Sequence, residues 1–419
     1  MGWLTKTAGL LGRGGGFEPT VFVWSRGLAL LCEHYGGRGF VREQRGGRGE
    51  LSVRFDPHAY DNVREGDLVW VRLTALPQFI AQVLPRIRTR FALVSGDEDW
   101  SMPSHLPAAR VILDDPHVVC WFTQNLDGTE VSGKLFPLPI GIDFHTISNR
   151  RRWGHRRATP RKQEQELQAV RATMLPNAKR LPRVHADFHF NRHEGAVSGE
   201  TRAAVEAVLR RNSSVDFLEK KLPRLALWRE KARYAFVVSP RGGGLDCHRT
   251  WESLALGNIV IVKRSSLDAL YQGLPVVIVD RWEDITEANL WRWHARHAGS
   301  FAAPEMQQRL TNQYWIAQVR AVLAERLGHT PALPTVGLRS ASGVGHAQGP
   351  SGEPQFAARD QRVTDRDGAF DERDVPRALE DLHRNLHPIA GHDRHQETHV
   401  VDRSQDEEFP GPQAERGRP

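Results

Sequence analysis

The sequence has few cysteines and no long apolar run. Three cysteines, Cys32, Cys120 and Cys247, are spread through 419 residues. Their separation gives no C-x-x-C metal pair and no disulfide framework, and a reducing compartment is the expectation. No apolar stretch is long enough to cross a bilayer as a helix. The opening "MGWLTKTAGLLGRGGG" carries an apolar patch too short for a secretory h-region. Lys6 stands where a myristoylation signal wants Ser or Thr. As written, the chain is expected in the cytoplasm, or in the Golgi if the N-terminus is incomplete. Two nucleotide signatures are also missing. No G-K-[ST] closes a phosphate loop, and no G-x-G-x-x-G opens a dinucleotide fold.

What is present is basic. Lys and Arg number 57 against 50 Asp and Glu, a formal net charge of +7. That balance favours anionic ligands such as nucleotides, sugar phosphates, acidic glycans or nucleic acid, and selects none of them. All 12 tryptophans lie at or before Trp315. Beyond residue 328 the text turns to Gly, Pro, His, Asp and Arg, and residues 329–419 are expected to be a disordered tail. "DRDGAFDERD" within it has a glycine misplaced for a calcium loop.

The remainder divides into three. Residues 17–150 carry short apolar runs, "DLVWVRL", "FALVSGD", "VVCWFTQN" and "LFPLPIGID", with helical text between some of them. That alternation predicts a parallel sheet covered by helices. Residues 151–180 begin in the basic stretch "NRRRWGHRRATPRK" and continue into a helix, a solvated hinge by this reading. Residues 181–328 return to strand–helix alternation. The expectation is an α/β chain with two Rossmann-like halves facing a cleft.

The segment "YAFVVSPRGGGLDCHRTWESLALGNIVIV", residues 234 to 262, joins two apolar strands through glycines and a helix. Glycines allow a tight turn and close backbone approach. Asp246 is predicted to cap the helix and Gly257 to end it. Cys247, Trp251, Leu254 and Ala255 form its apolar face, and Arg249 and Glu252 share the other. Amides at a helix start, beside Arg241 and near Arg249, make an anion site at the carboxyl end of a strand. The alternatives are a plain strand–helix turn and an ordinary Arg249–Glu252 surface ion pair. Lys263 and Arg264 end the next strand, where an NAD site would carry an acid.

This text, with "LVSGDEDWSMP" and "LPIGIDFHT" upstream, resembles the exostosin-like glycosyltransferases of GT-B type over residues 17 to 325. Two departures stand out: "GNIVIV" replaces a pattern nearer "GCIPVV", and "RGGG" lacks the polar residue that often interrupts the glycines. The resemblance implies metal-independent, inverting transfer of a sugar from a nucleotide-sugar to a hydroxyl acceptor on a glycan or glycoconjugate. No cofactor is implied, since the nucleotide-sugar is a substrate. Arg241 and the backbone of Gly242, Gly243, Gly244 and Leu245 would hold the diphosphate, with Lys263 as a further phosphate contact. Arg249 would neutralise the leaving phosphate, and Glu252 would accept from the ribose hydroxyls.

A base is needed for the acceptor hydroxyl. Asp97, in a D-x-D pair with Asp99 that also suits a metal or a turn held by Asp side chains, and Asp143 with His145 both end predicted strands. Gln124 and Asn125, at another strand end, are acceptor contacts. "RVHADFHFNRH" alternates strictly, so His185, Asp187 and His189 would share one strand face at a spacing that suits a metal or polar packing. Two other functions remain: a non-catalytic nucleotide- or glycan-binding module on the same fold, and a basic RNA-binding protein using residues 150 to 162. The expected partners are a nucleotide-sugar and a glycan acceptor, with no nucleic acid. The oligomeric state stays open.

Overall fold

The computed structural model describes residues 18–36, 43–45, 51–53, 55–128, 133–190 and 200–328. The expected disordered tail, 329–419, lies outside them. In the first half, helix α1 (Ser25–Ala29) precedes a small antiparallel pair, β1 (Glu43–Arg45) and β2 (Leu51–Val53). Then come β3 (Leu68–Arg72), α2 (Leu76–Gln82), β4 (Phe91–Gly96), α3 (Ala109–Asp114), β5 (Val118–Thr123), β6 (Leu135–Pro137) and α4 (His145–Asn149). Strands β3-β4-β5-β6 form one parallel sheet in that order.

After α5 (Pro160–Ala172) the second half follows, with β7 (Leu181–Ala186), α6 (Arg202–Leu209), β8 (Val215–Phe217), α7 (Arg224–Lys231) and β9 (Tyr234–Val238). It continues through α8 (His248–Ala255), β10 (Ile259–Lys263), β11 (Val276–Val279), α9 (Glu287–His297), α10 (Pro304–Arg309) and α11 (Asn312–Arg326). Its sheet is parallel throughout, in the order β11-β10-β9-β7-β8. The chain is therefore α/β with two parallel sheets, as expected.

Both sheets are covered on both faces, so their strands are near-continuous apolar runs. Period-2 alternation assigns each side chain to a layer. In β3, Leu68 and Trp70 enter the cluster shared with the second half, whereas Val69 and Val71 face an outer cluster with Phe79 and Ile112. In β10, Val260 and Val262 enter the same shared cluster, and Ile259 and Ile261 face the outer cluster of the second sheet. One apolar core thus runs from β3 through α1, α5 and α11 to α8 and β10.

Three sequence expectations change. In the segment 151–180 the basic stretch 151–159 is mostly exposed, but the helix after it is not part of a loose connection: α5 buries Leu167 and Val170 and packs on α7, and its Glu164 carboxylate accepts the amides of Val21 and Phe22 at 2.8 and 2.7 Å. Helix α11, assigned by sequence to the second half, packs against β4 and β5 through a buried face that includes Ile316, Val319 and Leu323. Strand β7 stops at Ala186, and residues 188–190 form a short 3-10 turn, so His185 and His189 do not lie on one strand. Phe188 ends that alternation by turning into the core beneath α6. Among the described residues, no helix is long and apolar enough to cross a membrane.

Candidate functional site

The glycine loop after β9 lies where the two halves touch. A Cβ on Gly242 would stand 2.6 Å from Nη2 of Arg202, and one on Gly244 2.7 Å from Oδ1 of Asn125. A Cβ on Gly243 would collide with the Asp99 carboxylate. Each of the three glycines thus admits a different neighbour, and two of those neighbours belong to the first half. Close packing between the halves therefore accounts for part of the glycine cluster. The Gly242 amide donates to the Gly244 carbonyl at 3.1 Å, whereas the amides of Gly243, Gly244 and Leu245 meet no acceptor among the described residues.

Asp246, predicted as a helix cap, is instead a buried tie. Its carboxylate accepts from the amide of Ile140 at 2.8 Å, Nε1 of Trp251 at 2.7 Å and the amide of Cys247 at 2.8 Å. Burial pushes its carboxyl up to about 6. Cys247 takes the cap position of α8 without a side-chain capping bond, its thiol donating instead to the Pro240 carbonyl at 3.5 Å, and Gly257 adopts φ +78° just beyond the helix, as its predicted stop role requires.

Beside this loop is a cavity of about 260 Å³ at the carboxyl ends of β9 and β10. Arg202, Arg241, Lys263 and Arg264 line it against a single carboxylate, Glu200, with Leu245, Thr250, Tyr271 and Trp282 among the other walls. Nε of Arg241 donates to the Glu200 carbonyl at 3.0 Å, and Nζ of Lys263 pairs with the Glu200 carboxylate at 3.0 Å. Nε of Arg202 donates to the Arg241 carbonyl at 2.8 Å and so braces the turn. The cavity brings Arg241, Leu245 and Lys263 together. Gly242, Gly243, Gly244, Arg249 and Glu252 are not among its walls.

Arg249 and Glu252 do not pair with each other among the described ion pairs. Nε of Arg249 donates to Asp187 at 2.6 Å, and the same carboxylate meets Nζ of Lys231 at 2.9 Å. Nη1 of Arg249 is buried and has no hydrogen-bond partner among the described residues. Burial alone would raise Asp187; Lys231 and Arg249 outweigh it and hold the carboxyl well below the usual range. Of the two alternatives the sequence left open around Asp187, a metal or polar packing, this pairing is the polar packing. Glu252 accepts from Arg224 at 3.0 Å and from Nε1 of Trp228 at 3.4 Å, so a ribose would have to share it with these donors.

A second cluster forms where α4 and the start of α8 meet the end of β4. Asp97, at φ 68°, is held by Nε of Arg26 at 3.1 Å and Nε of Arg72 at 3.8 Å, and its side chain is 3% exposed. Burial would raise its carboxyl, and Arg26 and Arg72 hold it down. Asp143 receives the amide of Thr146 at 2.9 Å and lies 3.1 Å from Nδ1 of His145. Its carboxyl is likewise depressed: burial opposes ionisation, and His145, His248 and Arg224 overcome it. Burial pushes His145 below its ordinary value, with Asp143 and Asp97 partly opposing.

Nδ1 of His145 faces the Asp143 carboxylate, which favours the tautomer with the proton on Nδ1 and the lone pair on Nε2. His248, at the first position of α8, places Nδ1 2.7 Å from the Gly141 carbonyl, and its ring centre is 5.6 Å from that of His145. Gln124 and Asn125 are tied inward. Gln124 bridges the Asp97 amide and the Pro139 carbonyl, and Asn125 accepts the Asp246 amide at 2.9 Å. Arg26, Arg72, Arg202, Arg224 and His248 were not assigned roles by sequence reasoning. Only His248 carried a local signal, as the histidine at the glycine–helix junction.

No known family model matches the sequence, and no curated protein matches it significantly. Among solved structures the chain is similar to a UDP-forming alpha,alpha-trehalose-phosphate synthase from Burkholderia xenovorans, at 11% identity and TM-score 0.35, over 62% of this chain and 74% of that one. It is similar to the corresponding synthase from Burkholderia vietnamiensis at 13% identity and TM-score 0.32, over 64% and 75%. A third is the N-terminal domain of Candida albicans trehalose-6-phosphate phosphatase, at 11% identity and TM-score 0.33, over 66% and 74%.

Proposed function

We propose that the chain is a glycosyltransferase that moves a sugar from a nucleotide-sugar to a hydroxyl acceptor, without a resident metal and with inversion. The observation that carries this reading is the cationic cavity at the carboxyl ends of β9 and β10, with Arg202, Arg241, Lys263 and Arg264 facing one another across about 260 Å³. Ligands of parallel α/β sheets enter at that edge. A diphosphate brings negative charge that Arg202, Arg241 and Lys263 can match beside Glu200, while Arg264 also pairs with Asp268 and Asp280.

As the glycosidic bond breaks, charge grows on the departing diphosphate. Fixed guanidinium and ammonium groups stabilise it without reorganising. In this reading Arg241 and Lys263 hold the diphosphate, and the unbonded amides of Gly243, Gly244 and Leu245 add donors nearby. Arg249 contributes through Nη1, which has no partner among the described residues, and Glu252 accepts from ribose hydroxyls while Arg224 steadies it. His145 takes the proton from the acceptor hydroxyl on Nε2, with Asp143 fixing its tautomer. Asp97 sets the charge of that neighbourhood through Arg26 and Arg72 instead of acting as the base.

The test is a panel of UDP- and GDP-sugars scored by thermal shift and by release of free nucleotide. Stabilisation by nucleoside diphosphates with donor-dependent release, lost in Arg249→Ala, supports transfer. Stabilisation without release by any donor and acceptor pair favours a non-catalytic binding module. Absence of any shift, together with steeply salt-dependent RNA binding, refutes both.

A further inference from the structure

Asp143, His145 and His248 each offer one ligand atom, and these atoms lie within 4.8 Å of one another. They come from three segments: the loop after β6, the start of α4 and the start of α8. Two imidazoles and a carboxylate are a donor set that suits Zn²⁺ and its first-row neighbours over Mg²⁺ or Ca²⁺. Ligand bonds of 2.0–2.1 Å in a tetrahedral shell put donor atoms about 3.3 Å apart. Asp143 and His145 already stand 3.1 Å apart, and the His145 side chain is 31% exposed, with room to adjust.

A second observation points the same way. Nδ1 of His248 stands 2.7 Å from the Gly141 carbonyl, so its N–H is donated there and Nε2 keeps the lone pair. Metal-binding imidazoles are commonly oriented by such a backbone carbonyl. That carbonyl is itself fixed. Gly141 sits at φ +71° with the backbone of Val23 and Trp24 against its α-carbon, where no side chain fits. Arg224 reaches the backbone carbonyl of Asp143, and the carboxylate accepts the amide of Thr146 at 2.9 Å on the oxygen that faces His145.

We propose that Asp143, His145 and His248 form a binding site for a divalent transition-metal ion, Zn²⁺ foremost, with a remaining coordination position open to water. A metal ion on Nδ1 of His145, the atom beside Asp143, moves the ring proton to Nε2, the atom that would act as the base, so occupancy of this site and sugar transfer exclude one another. Metal binding itself does not depend on the transfer reading, because it is measured without donor or acceptor.

The experiment uses the full chain, stripped with a chelator and titrated with Zn²⁺ by calorimetry and with Co²⁺ by visible absorption. The expected result is one equivalent bound at the triad, with the intense Co²⁺ d–d bands of a four- or five-coordinate site. His145→Ala and His248→Ala should each weaken binding at least tenfold, as should the milder His248→Gln. His58→Ala, at an exposed histidine elsewhere, should leave binding unchanged. The chain contains 19 histidines, so binding that survives the His145→Ala/His248→Ala double variant belongs elsewhere and overturns the proposal. Wild-type protein that gives only the weak spectrum of hydrated Co²⁺ overturns it without recourse to any variant.

Discussion

The Asp246 carboxylate accepts the amide N–H of Ile140 at 2.8 Å, a bond between residues 106 apart in the chain. It joins the start of α8 to the first half, and the same carboxylate gathers Trp251, Cys247 and, at 3.4 Å, the Tyr271 hydroxyl. Truncation leaves several buried donors unsatisfied. Asp246→Ala should therefore cost about 3 kcal/mol in urea unfolding. Asp246→Asn keeps the shape and part of the acceptor capacity, so it should cost less. Equal stability of all three proteins would contradict this role.

The same residue predicts a pH dependence. Burial raises the Asp246 carboxyl from 3.8 to about 6. The folded state thus binds its proton more tightly than the unfolded state does. That contribution is complete below the unfolded value and is lost as pH rises through the folded one, between roughly pH 4 and 6. The difference in unfolding free energy between wild type and Asp246→Asn should accordingly shift against wild type over that window, by about 3 kcal/mol at most. Parallel stability curves across the window would rule out the raised carboxyl.

The glycine loop makes a prediction about packing between the halves. Gly243→Ala places a methyl group onto the Asp99 carboxylate, and Gly244→Ala places one 2.7 Å from Oδ1 of Asn125. Overpacking of this kind costs about 1–3 kcal/mol. Asp99→Ala should recover most of the loss in the Gly243→Ala background, because it removes the obstructing atoms. Asn125→Ala should not rescue Gly244→Ala, because Asn125 also binds the Asp246 amide. Double-mutant cycles in urea would separate these outcomes.

How far the sequence could go follows from the range of each interaction. Strands β9 and β10, the glycine turn and the Gly257 stop depend on neighbours close in the chain, so periodicity and turn chemistry reveal them. The parallel α/β class follows from the same alternation. The contacts of α11 were not legible, since an apolar face on a helix does not name the sheet it meets. Arg249 and Glu252 are three apart on one helix and read as partners. In the structure their bonds go instead to Asp187 and Arg224, on other elements. Asp143 and His145 could be paired from sequence because only Phe144 separates them. Arg202 could not be placed at the cavity, because only the packing of α6 brings it there.

Should His145 act as the base, its titration sets the acid limb of the rate profile. Burial lowers it, with Asp143 and Asp97 raising it in part and Arg26 and His248 lowering it further. Transfer should therefore persist to a pH below the ordinary histidine value and fall as Nε2 becomes protonated. His145→Ala should lower kcat by about 10²–10⁴-fold. Asp143→Asn should lower kcat less and shift the acid limb to still lower pH, because a group that raises His145 is gone. An unmoved limb would assign it to another residue.

The buried triad of Asp187, Lys231 and Arg249 separates stability from chemistry. The Asp187 carboxylate stands 2.6 Å from Nε of Arg249 and 2.9 Å from Nζ of Lys231, whose side chain is 2% exposed. Asp187→Asn leaves two buried cations without their counter-charge, and breaking such a pair costs about 3–5 kcal/mol. Removing one cation as well, in Asp187→Asn/Lys231→Met, should restore much of that stability, since a methionine fills the space and carries no charge. The double variant still lacks the carboxylate that orients Arg249. It should fold, bind nucleoside diphosphate through Arg241 and Lys263, and yet show a lower kcat for sugar release. Recovery of kcat along with stability would mean that Arg249 does not need Asp187 to meet the departing phosphate. Loss of nucleotide binding in the refolded double variant would instead place Arg249 among the ground-state contacts.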